Sequence, residues 1–186
     1  MIIYLIRHTT PLNAKGLCYG FSDIDVNEHF LQEAEAVQKK LPISLQNIYC
    51  SPLIRCKKLA QYLFNNRPLN YEDDLREMNF GAWENKLWND IAYQESKYWM
   101  DDFVHASTPN GESYKMLYNR VVPLFEKHIK KHLQGFLWVT HSGVIRSVLC
   151  KITNTDLQHS FAAFKIDYGA VVKIVKEGTT FKYEIL

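Results

Sequence analysis

Met1-Ile2-Ile3-Tyr4-Leu5-Ile6-Arg7-His8-Thr9-Thr10 opens the chain, and Phe136-Leu137-Trp138-Val139-Thr140-His141-Ser142-Gly143 repeats its pattern near the other end. Each is an apolar run rich in β-branched or aromatic residues, the composition of a buried strand. Each stops abruptly at a histidine. In a parallel sheet the strand C-termini share one edge, and open α/β sheets bind their ligands there. The two histidines are therefore expected to meet at that edge, the first with Arg7 beside it. A strand that simply ends in polar surface residues explains either stretch alone, but the coincidence of the two favours a site.

Working outward, residues 2–6 read as a strand and 9–27 as a loop broken by Pro11, Gly16, Gly20 and Ser22-Asp23. A helix is predicted over 28–41, with Asn27 as N-cap, Pro42 as the stop, and Leu31, Ala34, Val37 and Leu41 on one face. A short strand follows at 46–50. Ser51-Pro52 then opens a second helix, Ser as cap and Pro in the first turn, with Leu53, Cys56, Ala60 and Leu63 inward. A strand at 69–73 precedes a polar stretch from Leu75 to Glu84, and 84–104 reads as helix holding Trp88, Tyr93, Tyr98 and Trp99. After the break at Thr108–Gly111 come a long helix (111–132), the strand at 136–140 and a helix at 144–151. Two strands (169–176, 180–185) close the chain around a hairpin at Glu177-Gly178. Strands alternating with helices predict a three-layer α/β/α fold on a mainly parallel sheet. The whole of 1–186 reads as one domain, with 84–108 as a small helical cap.

Composition narrows the function. At 186 residues and 47% apolar, the chain buries roughly 70% of its unfolded surface and needs no disulfide or metal staple. Its 22 basic and 20 acidic residues leave a net charge of +2, too little to argue for a nucleic-acid groove or a membrane surface. Cys18, Cys50, Cys56 and Cys150 show no metal or redox spacing. Free cysteines, no signal-like leader and no apolar run of ~18 residues lead us to expect a cytoplasmic location.

A second arginine, Arg55, falls in the first turn of the helix after a strand. Helix N-termini carry free N–H groups and partial positive charge. Arg7, Arg55, His8, His141 and such a terminus suit a single tetrahedral oxyanion, since the arginine fork binds phosphate oxygens in pairs. The motifs themselves are familiar. Arg7-His8-Thr9 with Thr10 and Asn13 resembles the Arg-His-Gly signature of the histidine phosphatase (phosphoglycerate mutase-like) superfamily. Ser51-Pro52-Leu53-x-Arg55-Cys56 is similar to its Ser-Pro-Leu-x-Arg-Ala element. Leu75-x-Glu77-x-x-Phe80-Gly81-x-Trp83-Glu84 resembles its acid-bearing segment. Gly111-Glu112-Ser113 with Arg120-Val121, and Val139-Thr140-His141-Ser142-Gly143, resemble two further landmarks. Five matches occur in order, from residue 2 to about 150. Within the superfamily, Gly16-x-Cys18-Tyr19-Gly20-x-x-Asp23 after Arg-His-Thr-Thr-Pro most resembles the α-ribazole phosphatases of cobalamin assembly.

The resemblance implies a metal-independent phosphomonoesterase with no cofactor. His8 would be the nucleophile that carries a transient phosphoryl group, Glu77 the general acid and then base, and His141 a partner in catalysis. Arg7, Arg55, Asn13 and Ser142 would bind the phosphate. Two departures stand out: Thr9 replaces the usual glycine, and Asn13 comes one residue early, as after a one-residue deletion following Thr10. Only 27 residues lie between Trp83 and Gly111. Mutases of the superfamily carry longer insertions there, so the short cap favours hydrolysis by water. The partner expected is a small phosphomonoester, with α-ribazole 5′-phosphate the first choice. A broad sugar-phosphate or nucleotide phosphatase and a non-catalytic phospho-ligand binder are the alternatives. A pure binder has no need of Glu77.

Overall fold

A computed structural model of the chain describes residues 1–42 and 47–186. Among these residues six strands form one sheet: β1 (Ile2–Arg7), β2 (Ile48–Cys50), β3 (Leu69–Tyr71), β4 (Gly135–Thr140), β5 (Val171–Glu177) and β6 (Thr180–Ile185). Their order across the sheet is β3-β2-β4-β1-β5-β6. The pairs β1–β4, β4–β2 and β2–β3 are parallel, whereas β5 and β6 run antiparallel beyond β1. Helical crossovers make the first group parallel; the turn at Gly178, with φ +59, folds the last two back as a hairpin.

Alternation along the strands sorts the core into two layers. Ile3, Leu5, Phe136, Trp138, Val172 and Ile174 face α4 (Tyr114–Lys131) and α5 (Ser142–Thr153). Tyr4, Ile6, Leu137, Val139 and Val171 face α1 (Phe30–Gln38) and α2 (Ile54–Leu63). Successive strand residues point to opposite faces, so both layers follow from the apolar runs first quoted. Each fully buried side chain of this kind contributes about 1.5–3 kcal/mol. Two further helices, α3 (Tyr93–Asp101) and the single turn α6 (Ser160–Ala163), lie outside the sheet layers; α6 had no counterpart in the sequence reading.

Several element ends differ from expectation. α1 starts at Phe30, and Asn27 accepts the His29 N–H through its side chain instead of capping the helix. Leu31 is exposed, so only Ala34 and Val37 of that face are buried within α1. The long helix expected at 84–104 is a 3₁₀ turn (Trp88–Asp90) followed by α3. Asn85 takes a left-handed φ of 64, which breaks the helix after its first residue. Gln46, expected to begin the second strand, lies outside the described residues.

Candidate active site

Strand register brings the histidines together. Arg7 pairs with Thr140 across the parallel β1–β4 ladder, so His8 and His141, one residue on, are neighbours. The His8 N–H donates to the Thr140 carbonyl at 3.0 Å, and the two rings sit edge to face with centroids 5.0 Å apart. The helices that follow the two strands lie on opposite faces of the sheet, which opens a crevice at this edge.

Hydrogen bonds assign both tautomers. His8 Nδ1 is 2.7 Å from the Thr9 carbonyl oxygen. A carbonyl only accepts, so Nδ1 carries the proton and Nε2 keeps its lone pair. Burial, then the charges of Arg55 and Arg7, hold the His8 pKa well below the usual histidine range, against the opposing pull of the Thr9 bond. His8 is thus a neutral imidazole with one nucleophilic nitrogen. His141 is its mirror: Arg55 Nη2 donates to Nδ1 at 3.3 Å, so Nε2 bears the proton and gives it to Ser51 Oγ at 2.8 Å. Burial first, and then Arg55, His8, Arg7 and Arg120, keep His141 neutral as well. Ser51, expected as a helix cap, serves His141 instead; α2 begins three residues later with no side-chain cap.

Arg55 is fully buried. Nη1 donates to the Ser22 carbonyl and Nη2 to that of Gly20, each at 2.7 Å. That loop is itself tied to Glu84, whose carboxylate accepts the N–H groups of Gly20, Phe21, Ser22 and Phe80 at 2.9–3.0 Å and the Ser22 hydroxyl. Burial pushes the Glu84 carboxyl up, but these donors outweigh it and its pKa lies below the ordinary value. Gly20 is required here, because a Cβ would lie 1.7 Å from the Met78 carbonyl oxygen.

Glu77 meets the start of α5. Its Oε2 accepts the Gly143 N–H at 3.0 Å and the Ser142 hydroxyl at 3.2 Å, while Oε1 accepts the Met78 N–H at 3.0 Å. Arg120 of α4 clamps this segment, donating to the carbonyls of Asp74, Arg76 and Glu77 at 2.7–2.9 Å. The same guanidinium grips Glu112 with two bonds of 2.9 and 3.0 Å, and Glu112 accepts the Asn79 N–H. The Gly111-Glu112 and Arg120 landmarks thus hold the acid-bearing segment in place.

A cavity of about 200 Å³ opens in front of Arg7, His8, Glu77 and Ser142. Its far wall is aromatic: Phe80, Trp88, Trp99, Phe103 and Phe161. Trp88 and Trp99 stack at 5.9 Å with an interplanar angle of 30°. Arg146 also faces the cavity. Its Nε donates to the Phe164 carbonyl, and its terminal nitrogens make no hydrogen bond among the described residues. Among those residues no group of three or more His, Cys, Asp or Glu is placed to hold a metal ion; the donors here are cationic and suit an anion.

The profile of the histidine phosphatase superfamily (branch 1) matches residues 3–186. The chain belongs to that superfamily. It is 27% identical over 177 residues to the adenosylcobalamin/alpha-ribazole phosphatase of Escherichia coli strain K12, covering 91% of this chain and 87% of the relative. It is 30% identical to a metal-independent phosphoserine phosphatase of Arabidopsis thaliana, over 83% of this chain and 69% of the relative. The crystal structure of the alpha-ribazole phosphatase from Shigella flexneri superposes with a TM-score of 0.90 at 25% identity, covering 100% of this chain and 96% of the other. Family and relatives make this histidine phosphatase a phosphoric monoester hydrolase; which ester it takes is a separate question.

Of the residues marked out from the sequence of this histidine phosphatase, Arg7, His8, Glu77 and Ser142 meet at the cavity. Arg55 and His141 lie fully buried, both within bonding distance of one another and His141 against the His8 ring. Ser142 gives its hydroxyl to Glu77. Asn13 is a correction. It is exposed, at a left-handed φ of 51, and does not line the cavity. The Pro11–Val26 bridge and the Leu12 N–H bond to Asp25 pin the loop so that Asn13 turns outward. Thr9 is buried with no left-handed φ, so the β-branched residue fits where the superfamily has glycine. Cys18 is buried against Trp83 and Ile91, and burial with the charge of Glu84 pushes its thiol up to about 12. The aromatics of 84–108 divide: Trp88, Trp99 and Phe103 line the cavity, while Tyr93 and Tyr98 face solvent. The roles of Ser51, Glu84 and Arg146 went unread. Each acts through a partner 18 to 90 residues away, and local pattern carries no trace of such pairings.

Proposed function

We propose that this chain hydrolyses a small phosphomonoester through a phosphohistidine at His8, and that its substrate is α-ribazole 5′-phosphate. His8 Nε2 attacks phosphorus, forming the P–N bond as the P–O bond to the leaving group breaks. Glu77 gives its proton to the departing oxygen, because an alkoxide leaves poorly. Water then attacks phosphorus and yields its proton to Glu77. The P–N bond breaks, its electron pair returns to Nε2, and inorganic phosphate leaves. Throughout, the Thr9 carbonyl holds the Nδ1 proton and fixes the ring. Arg7 and Arg55 offset the charge on the transferring group, in a reaction that needs little beyond positioning and charge. On this reading 1–186 is one domain and 84–108 caps the site.

The observation that carries the proposal is a neutral His8 of fixed tautomer beside a carboxyl anchored on Gly143 and Ser142. The substrate follows from the wall opposite. A benzimidazole ring presents the flat apolar face that the Trp88–Trp99 stack suits, and the Escherichia coli and Shigella flexneri relatives carry the α-ribazole name. Arg146 favours a second reading. Its terminal nitrogens suit the carboxylate of O-phosphoserine, the substrate named for the Arabidopsis relative.

Two variants and one panel test this. His8→Ala is expected to abolish turnover and remain folded; substantial turnover by the folded variant refutes the covalent step. Across α-ribazole 5′-phosphate, O-phosphoserine, 3-phosphoglycerate and fructose bisphosphate, kcat/KM for the first is expected to lead by well over about tenfold, the scale of pocket discrimination. A lead for O-phosphoserine selects the second reading, and values within about tenfold across the panel refute both.

A further inference from the structure

Two tyrosines roof the anion end of the site, and neither belongs to the set above. Tyr168 lays its ring over the Arg7 guanidinium, 3.8 Å from ring centroid to Cζ, and its centroid is 5.6 Å from that of His8. Tyr19 lines the cavity with Arg7, His8 and Glu77, its ring 5.4 Å from Arg55 Cζ. Their hydroxyls meet at 2.6 Å, although 149 residues separate them in the chain. Neither hydroxyl has another partner among the described residues.

Each phenol has one proton and can also accept. In a pair at this distance one proton lies between the two oxygens and the other is left over. Tyr168 is committed to Arg7 and does not line the cavity, whereas Tyr19 does. Either phenol can donate in that bond; with Tyr168 as the donor, the Tyr19 proton is left for a group in the cavity that Tyr19 lines. Both loops are anchored. Cys18 donates its N–H to the Lys86 carbonyl at 2.8 Å and Gly20 to Glu84 at 3.0 Å, while Gly169 donates to the His8 carbonyl at 3.1 Å. Burial above all pushes the Tyr19 hydroxyl well above the usual phenol range, against Arg7 and Arg55. It stays protonated at any working pH.

A phosphoryl group in flight spreads charge over three equatorial oxygens. The donors expected to meet them are partly spent. The His141 Nε2 proton goes to Ser51, and the Arg55 terminal nitrogens go to Gly20 and Ser22. Arg7 Nε and Arg55 Nε are buried without a partner. Those two N–H groups remain available to the phosphoryl oxygens, and a phenol hydroxyl adds a donor on the side roofed by the tyrosines. We propose that Tyr19 is a further catalytic residue, its hydroxyl aligned by Tyr168 and donating to an oxygen of the phosphoryl group as it passes to His8. The proposal rests on His8 as the phosphoryl acceptor.

The test uses the full chain with p-nitrophenyl phosphate as substrate and orthovanadate, which adopts the five-coordinate geometry, as the probe of transition-state binding. Tyr19→Phe is expected to keep its melting temperature, lose about 30-fold in kcat/KM, and weaken vanadate by a similar factor and inorganic phosphate by less. Tyr168→Phe keeps its ring on Arg7 and loses only the aligning hydroxyl, so its loss is expected to be smaller. A Tyr19→Phe enzyme within about threefold of wild type in both kcat/KM and vanadate affinity overturns the proposal. So does a larger loss in Tyr168→Phe than in Tyr19→Phe, which assigns the pair to supporting Arg7. Wild-type protein with no turnover overturns the His8 reading as well. Turnover that His8→Ala abolishes and Tyr19→Phe leaves intact overturns the Tyr19 proposal alone.

Discussion

Replacing Gly143 by alanine tests the acid without touching it. A Cβ at this position would lie 2.2 Å from Glu77 Oε1 and 2.9 Å from Leu117 Cδ2, where ordinary contact begins at 3.4 Å. The carboxyl must therefore withdraw by about 1.2 Å, the difference between those two distances. Both obstructing atoms belong to side chains and not to the backbone, so Glu77 and Leu117 take up the shift and the fold is expected to survive. Alanine also favours the helix over glycine by about 1 kcal/mol. The chemistry does not survive as well. Glu77 loses its alignment on the Gly143 N–H and the Ser142 hydroxyl, and a misplacement of about 1 Å costs on the order of 100-fold. The assay is kcat/KM, which reports phosphoryl transfer to His8 and excludes the later attack by water. We expect a fall of about 100-fold on a simple alkyl phosphate and less than about tenfold on p-nitrophenyl phosphate, whose leaving group needs little protonation. Equal losses on the two substrates, in a variant with an unchanged melting temperature, would show that Glu77 is not the proton donor.

Acid should unfold the protein early. Burial, aided by neighbouring His132, Lys127 and Lys131, lowers the His128 pKa from 6.5 to about 4, so the unfolded chain binds the proton more readily. Stability is full above pH 6.5 and falls towards pH 4, by up to about 1.4 kcal/mol per pH unit for this site, with His8 and His141 adding in the same direction. A urea midpoint unchanged between pH 7.5 and pH 5.5, values chosen to span about half of that window, would contradict this. Glu84→Gln removes the charge that gathers five donors; we expect a loss of about 2 kcal/mol in chemical denaturation and a drop in kcat through Arg55. Full activity in that variant would separate Glu84 from the site. Trp99→Ala should reduce the preference for α-ribazole 5′-phosphate over O-phosphoserine by about tenfold while sparing p-nitrophenyl phosphate; an unchanged ratio removes the stack from specificity.

Much of this was legible in the chain because it follows from local periodicity. The apolar runs ending at His8 and His141 gave the strands, the two core layers and the edge where the rings meet. Arg55 was legible as a helix-start cation but not as a buried one, since its burial depends on carbonyls of Gly20 and Ser22 more than thirty residues earlier. Asn13 misled because its position follows from how Pro11 pairs with Val26, not from its spacing to His8. The Tyr19–Tyr168 pair was invisible for the same reason, as its two loops meet only once β1 and β5 are paired.

The loop at 20–22 has a bearing on how the site assembles. Its amides point to Glu84 and its carbonyls to Arg55, so the two opposite charges are bridged by peptide groups and do not touch. Neither charge is satisfied until three stretches of chain have arrived together. Half-formed versions leave a buried carboxylate or guanidinium without partners, which is strongly unfavourable. The site is therefore expected to form as a unit, since no two of the three stretches satisfy both charges. Hydrogen exchange is expected to show similar protection for the amide protons of Gly20, Phe21, Ser22 and Phe80, which share one acceptor.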